Sequence, residues 1–326
     1  MENGEIYGMI RFLHSQFPIP NSQFSIMVHV TVPASTANLG PGFDCLGLAL
    51  GLHNTLVMTA LDDGFELSIA GEGADRLRKD RDNLIVRAAE TLWQHVGRRP
   101  AGLKIEAVNR IPPGMGLGSS AAAIVSGLVA ANALVGKPLA KRELLQLAAR
   151  IEGHADNVAA ALFGGLTLVS AHAEDILVDA LAVPPLQVVI AAPGVRLSTR
   201  EARAALPTHV SRADAVFNIG RALFVVRALQ SGNYDLLNRA MADRLHEPHR
   251  RKLIPGFDAV ERAARAAGAV AVALSGAGPS LAAFAPDRQA EIASAMRAAF
   301  EASGVTCRTF VLAVDQQGAS LERRAP

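Results

Sequence analysis

The sequence predicts an α+β fold in two domains, on three observations. At 326 residues the chain exceeds the usual size of a single hydrophobic core. Its opening alternates like β-strands, and helical periodicity punctuated by glycine follows. Its second half reads strand, helix, strand, strand, helix, strand, which is the split-βαβ order of a ferredoxin-like sandwich with additional helices inserted.

The elements follow in order. "VHVTVPA" from Val28 to Ala34 alternates apolar and polar residues, and "TLVMTAL" and "FELSIAG" read as further strands joined by a "DDG" turn. A helix is expected from Asn83, where Leu84, Ile85, Ala88, Ala89, Leu92 and Val96 share one face, to its stop at Gly97. "GLKIEAV" returns to strand. A glycine loop comes next, then a helix from about Ser119 to about Val135, a second in "AKRELLQLAARIEG" and a third in "ADNVAAALFGG". The first domain is drawn from residue 27 to 170 and the second from 171 to 326. The second holds strand "LQVVIAA", several helices, a helix from Gly256 to Ala267, strands "AVAVAL" and "SLAAFA" around the "SGAGP" turn, a helix from Asp287 to about Ala302, and strand "CRTFVLAV".

Composition narrows the function classes. Hydrophobic residues make up 50% and charged residues 19%, the balance of a well-packed chain. The formal net charge is +2 with scattered basic residues, so no nucleic-acid partner is expected. Cys45 and Cys307 lie far apart without CxxC spacing, which points to neither a zinc site nor a disulfide framework and fits a reducing cytoplasm. Residues 1–26 show no signal-peptide pattern and are expected to be a poorly ordered leader. Leu117 to Gly136 runs uncharged for about a bilayer-spanning length. Its serines, Asn132 and many alanines make it a buried helix of a protein without a membrane span.

The stretch "IPPGMGLGSSAA" from Ile111 to Ala122 has the chemistry of an anion site. Gly114, Gly116 and Gly118 permit positive φ and close approach, and Pro112 and Pro113 stiffen the preceding turn. Amides turned toward one point, with the free N–H groups and dipole of a helix starting at Ser119, suit a nucleotide phosphate. No lysine precedes Ser119, so the loop is not a Walker A motif, and its third glycine is one position early for a dinucleotide fingerprint. A serine-capped β-to-α turn is the plain structural alternative.

The loop stands beside "VPASTANLGPGFDCLGLAL" at Val32–Leu50, "EGHADNVAAALFGG" at Glu152–Gly165 and "LSGAGPSLAAF" at Leu274–Phe284. Together these resemble the GHMP kinase superfamily, named for galactokinase, homoserine kinase, mevalonate kinase and phosphomevalonate kinase. The first two stretches, with "STREARAALP" and "EPHRRKLIP", resemble the homoserine kinases in particular. The resemblance runs from about Met27 almost to the C-terminus. It implies an N-terminal ribosomal-protein-S5-domain-2-like domain, a C-terminal ferredoxin-like sandwich and a homodimer.

It further implies transfer of the ATP γ-phosphoryl group to the hydroxyl of L-homoserine, giving O-phospho-L-homoserine for threonine biosynthesis. Pro113, Gly114, Met115, Gly116, Leu117, Gly118, Ser119 and Ser120 inherit the phosphate loop, and Asn83 a place beside the nucleotide. Ser119 or Ser120 and Glu152 inherit Mg²⁺, which prefers hard oxygen ligands. A zwitterionic substrate calls for opposed charges. Arg203 and Arg250 match the carboxylate-binding arginines and Asp44 the ammonium partner, while Asn38, His154 and Asn157 complete the contacts. Asn157 is expected to orient the hydroxyl. Asp156 is a catalytic candidate whose use as a base stays open.

Each residue also has a structural reading. Asn83 can be an N-cap, Asn38 and Asp44 turn residues, His154 a packed histidine, and Glu152, Arg203 and Arg250 solvated helix charges. Two other functions fit the same motifs: a mevalonate-type kinase, and a non-catalytic ligand-binding protein.

Overall fold

The computed structural model describes residues 26–172 and 175–324. Apart from Ile26, the expected leader lies outside the described residues. The chain begins with β1 (Met27–Ala37), β2 (Leu46–Leu61) and β3 (Phe65–Gly71), then α1 (Leu84–Val96) and β4 (Gly102–Asn109). The "DDG" turn does not make β2 and β3 neighbours: β4 lies between them, antiparallel to β2 and parallel to β3. The cause is local. Gly102 has no side chain to collide with the Asp63 backbone, and Leu103 donates to the Gly64 carbonyl at 3.0 Å, so β4 seats itself against the turn.

Next come α2 (Ser119–Leu134), α3 (Lys141–Glu152) and α4 (Asp156–Phe163), then β5 (Leu166–His172) and β6 (Asp175–Leu181). The uncharged helix α2 is buried against β1, β2 and α1. Gly127 lets it approach Ile85, whose carbonyl a Cβ would strike, and Trp93 Nε1 donates to the Ala131 carbonyl at 3.3 Å. Its apolar composition therefore serves protein packing, and no helix among the described residues is long and apolar enough to cross a membrane.

The second half opens with β7 (Gln187–Pro193) and a run of helices: α5 (Thr199–Ala204), α6 (Arg212–Ser231), α7 (Tyr234–Ala240), α8 (Glu247–Arg250) and α9 (Phe257–Ala266). It ends with β8 (Ala271–Leu274), β9 (Leu281–Phe284), α10 (Gln289–Ala302), β10 (Cys307–Ala313) and β11 (Ser320–Arg324). The sheet order β10-β7-β9-β8, antiparallel throughout, is the ferredoxin-like arrangement.

The sheets divide the chain differently from the boundary drawn at 170. β6 pairs with β5, and β11 returns from the far end to pair with β1, so both lie in the first sheet. The two halves also share a core. Along β7, Val188 and Ile190 join the large cluster containing β1 and α2, whereas Val189 and Ala191 face α9 and α10. This alternation is the period of a strand buried on both faces.

Candidate functional site

The glycine loop is folded as an amide-lined cradle. Gly114, Gly116 and Gly118 take φ of +74°, +68° and +67°. The loop's carbonyls are held from behind: Leu117 accepts from Ser35 N–H at 3.1 Å, Gly116 from Ser275 Oγ at 2.6 Å and Met115 from Ser280 Oγ at 2.5 Å. Among the described residues, no amide from Gly114 to Ser120 donates to another protein group. A Cβ on Gly116 would overlap the Ser275 carbonyl, and one on Gly118 would overlap Ser35 Oγ, so both glycines are needed for close approach. Gly118 then caps α2, whose first-turn amides face the same cavity.

That cavity, about 490 Å³, also contains the charged residues. Asp44 sits in a loop after β1 where Asn38, Leu39 and Asp44 all have positive φ, pinned by Asn38 Nδ2 donating to Gly276 O at 2.7 Å and Oδ1 accepting from Asp44 N–H at 3.0 Å. Arg203, on α5, holds Asp44 with two parallel hydrogen bonds of 2.9 and 2.7 Å. Burial opposes its charge, but the Asp44 hydrogen bond and charge outweigh it and raise its pKa. Arg250, on α8, is only 1% exposed yet forms no ion pair among the described residues. Its Nε donates to the Ala202 carbonyl at 3.3 Å, and burial followed by the Arg203 charge pulls its pKa down. A buried cation of this kind is stabilised by an incoming carboxylate.

The opposite wall comes from α3 and α4. Ser120 Oγ donates to Glu152 Oε1 at 2.5 Å. Asp156 Oδ1 meets His154 Nδ1 at 2.6 Å and accepts the Asn157 N–H at 2.7 Å. Burial works against a charged His154, yet the Asp156 hydrogen bond and charge, with Glu152, raise its pKa above the usual imidazole value. Asn157 Oδ1 accepts from Ser35 Oγ at 2.9 Å, which leaves its amide donors for the cavity. Among the described residues no three His, Cys, Asp or Glu side chains form a metal cage by themselves. Hydroxyl and carboxylate oxygens at Ser120 and Glu152 nevertheless suit an ion that takes its remaining ligands from water and phosphate.

Of the residues singled out in the sequence, the cavity wall includes Asn38, Asp44, Asn83, Pro113, Gly114, Gly116, Gly118, Ser119, Ser120, Glu152, His154, Asp156, Asn157, Arg203 and Arg250. Met115 and Leu117 are not in that wall; Leu117 is fully buried, and both act through their carbonyls. Asn83 is an N-cap: its Oδ1 accepts from Ile85 N–H at 2.9 Å and its Nδ2 donates to the Arg78 carbonyl at 2.6 Å, so its side chain ties the start of α1 to the segment before it. Sequence reasoning missed Ser35, which holds both Leu117 and Asn157, and Asn54, whose Oδ1 accepts the Arg110 and Ile111 amides just before the loop. Ser35 lies inside the quoted "VPAST" stretch; Asn54 sits in a strand with no distinguishing pattern.

Known proteins resemble this chain in sequence and in fold. Residues 83–165 match the GHMP kinases N terminal domain and residues 225–302 the GHMP kinases C terminal domain. Homoserine kinase of Microchaete diplosiphon is 46% identical over 300 residues, covering 90% of this chain and 96% of the relative. Homoserine kinase of Moorella thermoacetica is 47% identical, covering 89% and 98%. The crystal structure of homoserine kinase from Cytophaga hutchinsonii superposes with a TM-score of 0.82 at 35% identity, covering 91% of this chain and 97% of that one. With a loop that offers its amides, a wall of opposed charges and relatives of this closeness along nearly its whole length, the chain belongs to the homoserine kinase family of the GHMP kinases.

Proposed function

We infer that this protein is a homoserine kinase, transferring the γ-phosphoryl group of ATP to the side-chain hydroxyl of L-homoserine to give O-phospho-L-homoserine, a step of threonine biosynthesis. The observation that carries the reading is one cavity holding both the uncommitted amides of residues 114–120 and the charges of Asp44, Arg203 and Arg250. Triphosphate oxygens meet the amides and the N-terminus of α2. The substrate's ammonium is assigned to Asp44, and its carboxylate to Arg250 with Arg203.

Chemistry on this scaffold is positioning and charge stabilisation. Asn157, fixed by Ser35, directs its amide toward the acceptor hydroxyl. Asp156 is assigned the task of holding His154 and the start of α4, since its Oδ1 already serves two partners. Ser120 and Glu152 are proposed to hold Mg²⁺, which when bound neutralises charge on the phosphates. Two free thiols support a reducing cytoplasm. Val216, Ile219 and Leu223, exposed along α6, support a homodimer that covers them.

An ADP-release assay on purified protein with ATP, Mg²⁺ and a panel of alcohols tests the reading. L-homoserine is expected to be the preferred acceptor. Faster turnover of mevalonate, which lacks the ammonium, would reject the substrate assignment, and no ADP release with any alcohol would reject the kinase.

A further inference from the structure

His246 stands one turn before Arg250 and is completely buried. It is not itself part of the cavity wall, yet it connects the two halves of the charged pocket. Its Nε2 lies 2.8 Å from the carbonyl oxygen of Gly40, in the loop that carries Asp44. Its Nδ1 lies 3.4 Å from Arg250 NH1. A carbonyl can only accept and a guanidinium can only donate, so both contacts are met by one species: a neutral imidazole protonated on Nε2. Burial, which keeps the ring below the usual histidine range, favours that neutral form.

The surroundings leave the ring little freedom. It stacks on Phe43, with centroids 5.2 Å apart and planes 27° apart. Phe43 in turn has Arg250 Cζ at 5.0 Å and Arg203 Cζ at 5.5 Å from its centroid. Asp243 Oδ2 lies 3.7 Å from His246 Nε2, but it already accepts the His246 and Glu247 amides, and its Oδ1 takes Leu245 N–H and Asn218 Nδ2. Gly40 is equally constrained, at φ +69° and where an added Cβ would overlap the Met241 carbonyl.

We propose that His246 is a positioning and specificity residue: by bridging Gly40 to Arg250 it fixes the spacing between the anion and the cation that grip an α-amino acid. This rests on the assignment of Arg250 to the substrate carboxylate. Among the described residues Arg250 lacks an ion-pair partner, and His246 is the side chain within hydrogen-bonding distance that sets the rotation of its guanidinium.

The test measures KM and kcat for L-homoserine and for 3-aminopropan-1-ol, the analogue without the carboxylate, in His246→Phe, His246→Gln, Arg250→Leu and the His246→Phe/Arg250→Leu double variant. Loss of a hydrogen bond to a charged group predicts that His246→Phe raises the homoserine KM about tenfold and cuts selectivity over the analogue by a similar factor, with the ATP KM within about twofold. His246→Gln, which keeps a donor and an acceptor, restores most of that selectivity, and the double variant is no less selective than Arg250→Leu alone. His246→Met replaces the phenylalanine variant if thermal unfolding shows that the latter does not fold. Unchanged selectivity in His246→Phe or His246→Met, when Arg250→Leu loses it, overturns the proposal and leaves the Arg250 assignment standing. Unchanged selectivity in Arg250→Leu overturns that assignment and the proposal with it.

Discussion

Gly116→Ala and Gly114→Ala separate two things a glycine can do in this loop. Both positions have positive φ, +68° and +74°, so either alanine costs about 1–2 kcal/mol for the left-handed backbone. Only Gly116 is also crowded. Its Cβ would overlap the Ser275 carbonyl and lie 2.9 Å from that of Gly278, whereas nothing lies within 4 Å of a Cβ at Gly114. The obstructing carbonyls belong to a turn closed by Gly278 N–H donating to Ser275 O at 3.0 Å, so they cannot simply rotate away. Overpacking of that kind adds about 1–3 kcal/mol. The loop can relieve it by moving off the turn, which breaks the bonds from Ser275 to Gly116 and from Ser280 to Met115 and scatters the amides. Gly116→Ala is therefore expected to raise the KM for ATP about fivefold to about a hundredfold more than Gly114→Ala does, since each 1.4 kcal/mol is one decade and the overpacking falls on Gly116 alone. The assay is ADP release over an ATP titration at saturating homoserine, with thermal unfolding in parallel. Equal ATP KM values in the two variants would refute the claim that the second sheet's turn shapes the phosphate cradle.

Ser120→Ala removes the donor to Glu152 and is expected to raise the Mg²⁺ concentration for half-maximal activity about tenfold; an unchanged Mg²⁺ titration would move the ion elsewhere. Asp156→Asn keeps an acceptor for the Asn157 amide and is expected to lower kcat by less than about tenfold, whereas a drop of about a thousandfold would make Asp156 the base. Glu247, partly buried and accepting from Leu274 N–H at 2.6 Å, has its pKa pushed from 4.5 up to about 8, chiefly by burial. The folded state then retains a proton that the unfolded state releases. Its contribution to stability is complete below pH 4.5 and is lost as pH rises toward 8. Glu247→Gln should flatten the dependence of unfolding free energy on pH across that window, measured by denaturant titration at several pH values; a slope identical to that of the parent would show that Glu247 is ionised in the folded protein.

The parts of the fold legible in the sequence were those where local chemistry and tertiary placement agree. Asn83 and Gly97 bound α1 because one side chain caps its first turn and the other takes the left-handed exit. The loop glycines are visible because positive φ at close approach leaves no substitute. β6 and β11 were not foreseen: β6 is a largely exposed edge strand, and "SLERR" in β11 has no apolar face to announce it. The order β2-β4-β3 was hidden for another reason: β4 returns through α1 and only then meets, at Gly102 and Leu103, the turn that precedes β3. In the site, motif residues whose own side chains suit a phosphate, a metal ion or a zwitterion were found. Ser35 and His246 were not, because their partners lie 122 residues away at Asn157 and 206 away at Gly40.

Where the site lies restricts how it can open. The turn at 275–280 belongs to the second sheet, but Ser275 Oγ reaches Thr36 at 2.9 Å as well as Gly116, Gly276 N–H donates to the Ala37 carbonyl at 3.1 Å, and Asn38 holds Gly276 O. Beneath it, Val188, Ile190, Ala271, Ala273 and Phe284 of the second sheet join the same core as β1 and α2, and β11 ties the C-terminus to β1. Swinging the two halves apart would expose that shared apolar surface and break these bonds together. At about 25 cal/mol per Å² of apolar area, such a motion costs far more than a substrate of homoserine's size can return on binding. Access must then come from small elements at the rim. Among those, α5 is six residues long, contributes only Ala202 to the core and presents Arg203 to Asp44. Displacing α5 would open the charged pocket while leaving the phosphate cradle intact, so acceptor binding and nucleotide binding can be perturbed separately.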